Sequence, residues 1–433
     1  MSDWKKSVPG YPVPDKDATF APIDCCCRVY RVVNRHLLLI NSPGTIVGKS
    51  AAPLQAQPVD STELSNLNSP SGPADPVVTT SLKRPEVSYI RVIAALAVVQ
   101  IHTVGEVLYA FNSDDPYNSH WWTGNLYYSL LRWATPFFIM LSGSIMLHPG
   151  RVETPAVFLR KRMKRVLPPF FLWSFVYLLY QYRGHIYDGR PVYWPEFWDK
   201  VLYQDVYYHL WFIPMIIGMY LLTPTFRIFI RHARRTDIEY FLIFSFTVTG
   251  LQHFIPNFFI VKYIGWMGYI GYYVLGYYLS QYTLRRKNYF YALALAMPLL
   301  TAWGTWVMSW EHHEYTNTLY VYFSPNVVIM SAALFMFLRE VNWSEFALRF
   351  PRISKLVGQM APYSFGVYFV HVLLLDVLKN GYIGGIYLSY KMFFNQAIHP
   401  IIGSFIQACI VAALSFGLIA LLSKIPGMRR WLM

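Results

Sequence analysis

The sequence has 433 residues, of which 55% are hydrophobic, 18% are aromatic and only 14% are charged. Because soluble domains carry about 25% charged residues, this composition excludes an ordinary soluble protein and favours repeated hydrophobic spans in a lipid bilayer. The net charge of +14 would suggest nucleic acid as the partner of a soluble protein, but the basic residues of a multispan protein gather in its cytoplasmic loops, so we expect no nucleic acid.

Residues 1–82 differ from the rest of the chain, because they contain scattered Pro, Ser, Asp and Asn and one modest apolar patch, Leu37–Ile40. They predict a disordered cytoplasmic N-terminal tail without the features of a signal peptide. An alternative is that translation starts further down the chain.

Three of the four cysteines, Cys25–Cys27, are adjacent in this N-terminal segment. That spacing suits neither a disulfide framework nor a metal site, so we expect no metal.

From Val87 onward, apolar stretches long enough to cross a bilayer, about 17 to 25 residues each, recur with short polar breaks. Their approximate bounds are 87–111, 125–147, 166–183, 207–225, 238–255, 263–283, 289–310, 319–338, 361–379 and 399–423. Residues 83–433 are therefore predicted to form an all-α integral membrane domain, a bundle of about ten transmembrane helices. Residues 184–206, which combine tryptophans with charged residues, are predicted to lie along the membrane surface.

Lysines and arginines alternate between the predicted loops, which orients the chain because these residues mark the cytoplasmic side. They gather after the second, fourth, sixth and eighth spans, in 151–165, 227–235, 285–287 and 339–355. No Lys or Arg occurs between Asn112 and Asn125 or between Glu311 and Leu319. The pattern predicts that both termini lie in the cytoplasm, an N-in/C-in topology.

Three ionisable residues of the first span, Arg91, His102 and Glu106, are predicted to share one helix face. Eleven residues of an α-helix return to within about 20° of the starting direction, about 16 Å further along the axis. Taken singly, Arg91 can reach the lipid headgroups and His102 can bond across a helix interface. Aligned, they favour a lined cavity in which His102 is a general base and Glu106 fixes its tautomer.

Five further segments follow in a characteristic order: Pro136–Gly143, Phe158–Pro169, Tyr208–Phe212, Gly268–Gly276 and Ser364–His371. With Arg91 and His102, they make residues 84 to 425, approximately, resemble the acyltransferase 3 family of integral-membrane O-acyltransferases. Within that family, Tyr208–Phe212, Tyr320–Pro325 and the ninth span are most similar to bacterial inner-membrane members that acetylate enterobacterial common antigen. The resemblance implies a multi-pass enzyme of the bacterial inner membrane.

The resemblance also implies a donor and a set of site residues. Acetyl-CoA is the expected donor and His102 the catalytic residue. Arg162 and Arg165 are the expected contact for the CoA phosphates. Arg91 is a further candidate for donor binding because of its position in the first span. A simpler interpretation of the basic run 160–165 is the positive-inside rule or anionic lipid. His209, Trp211 and His371 are candidates to line the acceptor side, although each histidine can equally be a packed, hydrogen-bonded residue.

Several alternatives stay open at this point. The acceptor is expected to be a glycan hydroxyl, on O-antigen, common antigen, exopolysaccharide or a similar polymer, and the transferred group can be succinyl instead of acetyl. Transfer can be direct or pass through an acetyl-histidine. A transporter or flippase for a glycan or lipid-linked intermediate also has about ten spans and intramembrane charges. The last alternative is a non-catalytic scaffold or sensor.

Overall fold

The computed structural model describes residues 85–151, 153–189, 191, 193–203, 206–255 and 267–432. The tail predicted over 1–82 and the predicted start of the sixth span lie outside the described residues. The described helices are α1 (Pro85–Leu108), α2 (Ser119–Leu131), α3 (Ala134–Met146), α4 (Pro155–Gln181), α5 (Arg183–Tyr187), α6 (Trp194–Tyr203), α7 (Phe212–His232), α8 (Arg235–Phe254), α9 (Gly268–Gln281), α10 (Lys287–Glu311), α11 (Pro325–Glu340), α12 (Trp343–Arg349), α13 (Pro351–Met360), α14 (Ser364–Lys379), α15 (Pro400–Leu422) and α16 (Arg429–Leu432). Short 3₁₀ turns, Thr318–Tyr320 and Ala361–Tyr363, precede α11 and α14.

Six segments of the described chain are long and apolar enough to cross a membrane. They are Pro85–Leu108, Phe212–His232, Lys287–Glu311, Thr318–Glu340, Pro351–Lys379 and Pro400–Leu422. The prediction of a helical multi-pass membrane protein is thereby confirmed. The count of ten spans and the N-in/C-in topology stay predictions.

Several predicted spans differ from the observed helices. The second is divided into α2 and α3, which are separated at Arg132 and Trp133. The fourth begins at Phe212 instead of 207, because residues 206–211 form turns. The third is the end of a longer helix, α4, which starts at Pro155 and continues through Pro168 and Pro169, so most of the basic segment before it is helical. Two prolines remove two backbone donors, but the helix continues on both sides of them.

A small antiparallel sheet, absent from the all-α prediction, lies between α14 and α15. Its strands β1 (Leu388–Ser389), β2 (Met392–Phe393) and β3 (Gln396–Ala397) pair in sequence order. Phe394 and Asn395, which join β2 to β3, have φ values of 47° and 65°. Asparagine adopts this left-handed conformation more readily than most residues, which suits a tight turn.

Helix α1 lies at the centre of the described bundle, where it packs against α2, α3, α14 and α15. Its buried side chains point in all directions and are mostly small or β-branched: Val92, Ala94, Ala95, Ala97, Val99, Thr103, Val104 and Val107. A helix that is apolar on all sides is surrounded by protein or lipid. This position places Arg91 and His102 inside the domain, one in each half of the helix.

Helices α3 and α9 approach each other closely at two glycines. A Cβ atom built on Gly143 would lie 1.8 Å from the Tyr273 carbonyl oxygen, and one built on Gly276 would lie 1.9 Å from the Met140 carbonyl oxygen. Only glycine fits at such distances, because the facing helix backbone has no room for a side chain. The glycines of the motifs Pro136–Gly143 and Gly268–Gly276 therefore have a packing role.

Candidate active site

His102 stands in a cluster of histidine and tyrosine rings contributed by three parts of the chain. Its ring centroid lies 5.1 Å from that of His371 on α14, 5.4 Å from Tyr208 and 6.3 Å from His209. Tyr208 and His209 belong to the turn segment 206–211, so the non-helical backbone here lines a site inside the bundle. The structure thus brings together three of the histidines that the sequence singled out.

The hydrogen bonding of His371 defines which of its nitrogens carries the proton. Its Nδ1 lies 2.9 Å from the carbonyl oxygen of Val367. Because a carbonyl only accepts, Nδ1 must donate, and in the neutral ring Nε2 is then an acceptor. Nε2 is buried and has no hydrogen-bond partner among the described residues. With the His102 ring centroid 5.1 Å away, this acceptor is suited to receive an N–H from a neighbouring histidine.

Glu106 lies one turn beyond His102, at the end of α1. It forms a salt bridge with Lys379, the last residue of α14, and its side chain is 53% exposed. Lys379 is also 3.6 Å from Asp376, whose carboxylate accepts a hydrogen bond from Tyr207. Glu106 is therefore part of a charged network at the ends of two helices, and the hydrogen bond described for it is to Lys379 and not to His102.

A second group of aromatic side chains surrounds Trp211, the last residue of the turn segment 206–211. Trp211 lies between Tyr269 on α9 and Tyr322, with ring centroids 5.8 Å from each. Six neighbouring side chains are only partly buried, namely His102, Tyr128, Arg132, Trp211, Tyr269 and Tyr322, and Tyr208 beside them is 49% exposed. We call the region among these seven side chains the chamber. Trp211, proposed from sequence for the acceptor side, lines it together with aromatic rings that sequence analysis did not single out.

Arg132, a residue that the sequence analysis did not select, also faces the chamber. It lies at the break between α2 and α3, where its Nη1 donates to the hydroxyls of Tyr128 and Tyr322, each at 3.2 Å. Its Nε donates to the carbonyl oxygen of Tyr320. Arg132 and His102 are close enough to interact electrostatically.

The three arginines predicted to bind the donor converge near the first half of α1. Arg91 on α1 and Arg162 and Arg165 on α4 all interact electrostatically with the hydroxyl of Tyr220 on α7. The Nε atom of Arg162 is buried without a hydrogen-bond partner in the described part of the chain. An unpartnered guanidinium nitrogen among three cations is suited to an anionic ligand.

A cleft of about 370 Å³ opens beside these arginines. It is lined by Lys161, Lys164, Arg165, Pro362, Arg429 and Arg430. Arg429 and Arg430 come from the C-terminal helix α16, which packs against α4, and only their tertiary position connects them with the basic segment. The sequence analysis did not select either of them.

Lys161 differs from the other cations of the cleft because it has a carboxylate partner. Glu153 contacts Lys161 at 3.1 Å and the buried Arg227 of α7 at 3.3 Å. Partial burial acts to raise the pKa of Glu153, but the hydrogen bonds from Lys161 and Arg227 outweigh it and lower the pKa below its usual value. Glu153 is therefore ionised at neutral pH and offsets part of the positive charge at this edge.

Histidine clusters raise the question of a metal centre. Over the described residues, no group of three or more His, Cys, Asp or Glu side chains is arranged to hold a metal ion. His102, His209 and His371 contact one another through their ring faces and edges, with interplanar angles of 51° to 78°.

The fold and the two linked sites define a multi-pass membrane protein with a histidine in a chamber and a cationic cleft beside the same central helix. The model of an acyltransferase domain family, the acyltransferase 3 family that the motifs resemble, matches residues 84–424. The chain belongs to this family, and the protein is a membrane acyltransferase. No curated protein and no solved structure matches the chain.

Proposed function

We propose that the protein is an O-acetyltransferase of the bacterial inner membrane, which moves an acetyl group from cytoplasmic acetyl-CoA to a hydroxyl of a cell-surface or periplasmic glycan. One observation carries the proposal: the central helix α1 bears Arg91 near Arg165, which lines the cationic cleft, and bears His102 in the histidine and tyrosine cluster. Arg91 and His102 are about 16 Å apart along the helix axis. In this proposal the domain has ten spans with both termini inside, so that the cleft opens to the cytoplasm.

Binding of the donor is assigned to the cationic cleft. CoA carries several phosphate charges, and clustered guanidinium groups bind phosphate through charge-assisted, often bidentate hydrogen bonds. Arg162 and Arg165 are placed on the phosphates, and Arg91 stands where the chain of the donor would enter the bundle. The narrow acyl-bearing arm of CoA would then extend along α1 towards His102.

Proton transfer is assigned to His102. Its neutral ring accepts the proton of the glycan hydroxyl, whose oxygen attacks the thioester carbonyl. His371 is suited to hold His102 in one tautomer, because its Nε2 is an acceptor and its Nδ1 is fixed by Val367. When the carbon–sulfur bond breaks, the imidazolium of His102 returns the proton to the departing thiolate.

Acceptor binding is assigned to the aromatic side of the chamber. Trp211 and Tyr322 carry aromatic rings of the kind that stack on sugars, and His209, two residues before Trp211, belongs to the His102 cluster. The likeness to members that acetylate enterobacterial common antigen favours an amino-sugar polymer among the glycans. O-antigen and exopolysaccharide are the other candidates.

The test compares alkali-labile acetate on the cell-surface glycans of a deletion strain complemented with three alleles. The wild-type gene is expected to restore acetate on one glycan fraction, which identifies the acceptor. His102→Ala, present in the membrane at an equal level, is expected to restore none. His312→Ala is the matched control, since His312 is an exposed loop histidine bonded to the Met308 carbonyl oxygen and should restore acetate fully.

The other outcomes distinguish the alternatives. Restoration of succinate in place of acetate would keep the acyltransferase and change the donor. If no fraction gains an acyl group while a lipid-linked glycan accumulates on one side of the membrane, the transporter alternative replaces the proposal. Acetate restored by His102→Ala would remove His102 from the proton-transfer role.

A further inference from the structure

Arg132 is a cation inside the membrane domain that has neutral partners only. Its three described hydrogen bonds go to two tyrosine hydroxyls and one backbone carbonyl. Among the residues that the structure describes, no carboxylate lies within salt-bridge distance of it. A charge taken out of water is costly unless an anion compensates it, so an intramembrane arginine without a carboxylate indicates a ligand that supplies the negative charge.

The surroundings of Arg132 hold its guanidinium group in one orientation. The group lies over the ring of Tyr322, 4.0 Å from its centroid, and 5.0 Å from the centroid of Tyr128. The Tyr322 hydroxyl is itself 3.0 Å from the Thr135 hydroxyl oxygen. Nε and Nη1 are occupied, whereas Nη2 has no hydrogen-bond partner within the described chain, and Arg132 keeps accessible surface. Two N–H donors of a fixed fork are therefore free to face the chamber.

The position of Arg132 relative to His102 determines which anion Arg132 can bind. Tyr128, whose hydroxyl accepts a hydrogen bond from Arg132, lies against α1 at Gly105, where a Cβ would be 4.0 Å from its ring, and His102 is three residues before Gly105. A base and a hydrogen-bond donor that flank one space form the arrangement needed around a reacting carbonyl. Arg132 and His102 therefore both border the chamber, in which the base would activate a hydroxyl.

We propose that Arg132 stabilises the oxyanion of the tetrahedral intermediate in acyl transfer. The inference rests on the proposed function. The acceptor oxygen forms a bond with the thioester carbonyl carbon, the hydroxyl proton moves to His102, and the carbonyl oxygen takes the negative charge. Nη2 of Arg132 donates to that oxygen. When the C=O bond forms again, the C–S bond breaks and the thiolate leaves with the proton from His102.

Arg132 lies at the break between α2 and α3. The backbone of Arg132 and Trp133 stays in the right-handed helical region, and Pro136 removes the helical hydrogen bond to the Arg132 carbonyl. From this position the Arg132 side chain donates to the carbonyl oxygen of Tyr320. The tyrosines are neutral and polar, so they orient the cation without neutralising it. Such fixed donors act on charge that develops during the reaction, in a site that contains little water.

The experiment measures steady-state transfer by Arg132→Met in purified membranes or detergent, with acetyl-CoA and the acceptor fraction identified above. Removal of one oxyanion donor commonly lowers kcat by about 100-fold or more, and this loss is expected here with both Michaelis constants changed less than about threefold. Arg132→Lys, which keeps the charge but not the fork, is expected to recover only part of kcat. Guanidinium ion added to Arg132→Ala is expected to raise kcat.

The matched control is Arg183→Met. Arg183 also lies over a tyrosine ring, at 4.2 Å from the Tyr180 centroid, and donates to the Tyr382 hydroxyl at 2.7 Å, but it is exposed at the start of α5. It should keep wild-type kcat. Melting in detergent and binding of a non-transferable acetyl-CoA analogue show whether Arg132→Met is folded.

The possible results separate this proposal from the proposed function. If wild type transfers no acyl group, the proposed function fails and Arg132 has no reaction to serve. If wild type is active, His102→Ala is inactive and folded Arg132→Met keeps kcat within about tenfold, the oxyanion role is overturned. A raised Michaelis constant for the acceptor with unchanged kcat overturns it as well, because Arg132 would then bind an anionic group of the acceptor.

Discussion

At the scale of single residues, the cationic cleft combines charges from two distant parts of the chain. Arg165 belongs to the basic segment of α4, whereas Arg429 and Arg430 belong to the C-terminal helix α16. The position of α16 is fixed by Leu432, which is buried, and by the approach of its carbonyl oxygen to Gly366 on α14. The two terminal arginines therefore extend the proposed donor site beyond the Arg162 and Arg165 pair.

We predict that Arg429 and Arg430 contact the 3′-phosphate of the donor. The double substitution of both by Gln should raise the Michaelis constant for acetyl-CoA about tenfold or more, since loss of a charge-assisted phosphate contact is worth about 1.5 to 3 kcal/mol. The Michaelis constant for acetyl-dephospho-CoA, which lacks that phosphate, should change little. Steady-state kinetics with the two donors measure the effect.

A control with the same charge change is available on the predicted cytoplasmic side. Arg285 and Arg286 precede α10 and do not line the cleft, so their double substitution by Gln should leave both Michaelis constants unchanged. If the Arg429 and Arg430 variant weakens both donors equally, the contact is not with the 3′-phosphate. If the Michaelis constant changes for neither donor, the two arginines bind anionic lipid headgroups instead.

The sequence predicted some residues of the candidate site and could not predict others, for physical reasons. Arg91 and His102 share a helix, so their spacing alone placed them on one face. Arg429 reaches the cleft only through the packing of α16, and no local pattern reports that. Arg132 is a single arginine in an apolar stretch, and its partners Tyr320 and Tyr322 are about 190 residues away in the chain.

At the scale of secondary-structure elements, the contact between α3 and α9 determines how tightly the bundle closes around the chamber. Its closest points are reciprocal: Gly143 of α3 faces Tyr273, and Gly276 of α9 faces Met140. Tyr273 also hydrogen-bonds to Thr223 of α7 at 2.8 Å, so a shift of α9 would be transmitted to a third helix. Membrane helices associate through such close packing because lipid provides no hydrophobic drive between them.

We predict that Gly276→Ala destabilises the protein although alanine is the better helix former. Its Cβ would overlap the Met140 carbonyl oxygen and force the two helices apart, at a cost of about 1 to 3 kcal/mol. Thermal melting in detergent should show a lower midpoint. Gly417→Ala in α15 is the control, because a Cβ there meets nothing within 4 Å and its melting should be unchanged or improved. Equal melting of both variants would contradict the packing role.

The helices were predictable where the run of apolar residues is continuous and bounded by polar residues. They were not predictable where the helix continues beyond that run or breaks within it. α15 lies within one residue of its predicted bounds at each end, since its apolar run is bounded by Pro400 and by polar residues. The break at Arg132 is explained by Pro136, which has no N–H to bond to the Arg132 carbonyl four residues earlier, a signal that the continuous apolar run concealed. Pro168 and Pro169 suggested the entry to a span, yet α4 begins thirteen residues earlier, at Pro155, after the Thr154 cap.

At the scale of the whole molecule, the orientation of the domain decides whether the cleft can receive a cytoplasmic donor. The charges that line the cleft come from segments predicted to face the cytoplasm. The loop that contains Tyr117, between α1 and α2, lies at the opposite end of α1 and has no Lys or Arg. One labelling experiment therefore tests both the topology and the direction of acyl transfer.

We predict that these two faces respond differently to a membrane-impermeant maleimide. In a background where Cys25, Cys26, Cys27 and Cys409 are replaced by Ser, Tyr117→Cys should be labelled in intact spheroplasts, because Tyr117 is 74% exposed in the outer loop. Leu348→Cys, at a position 84% exposed in α12, should be labelled only after the membrane is permeabilised. Both variants must keep glycan acetylation for the comparison to hold. The reverse labelling would place the cationic cleft outside the cytoplasm, where CoA is absent, and would overturn the assignment of acetyl-CoA as donor together with the topology.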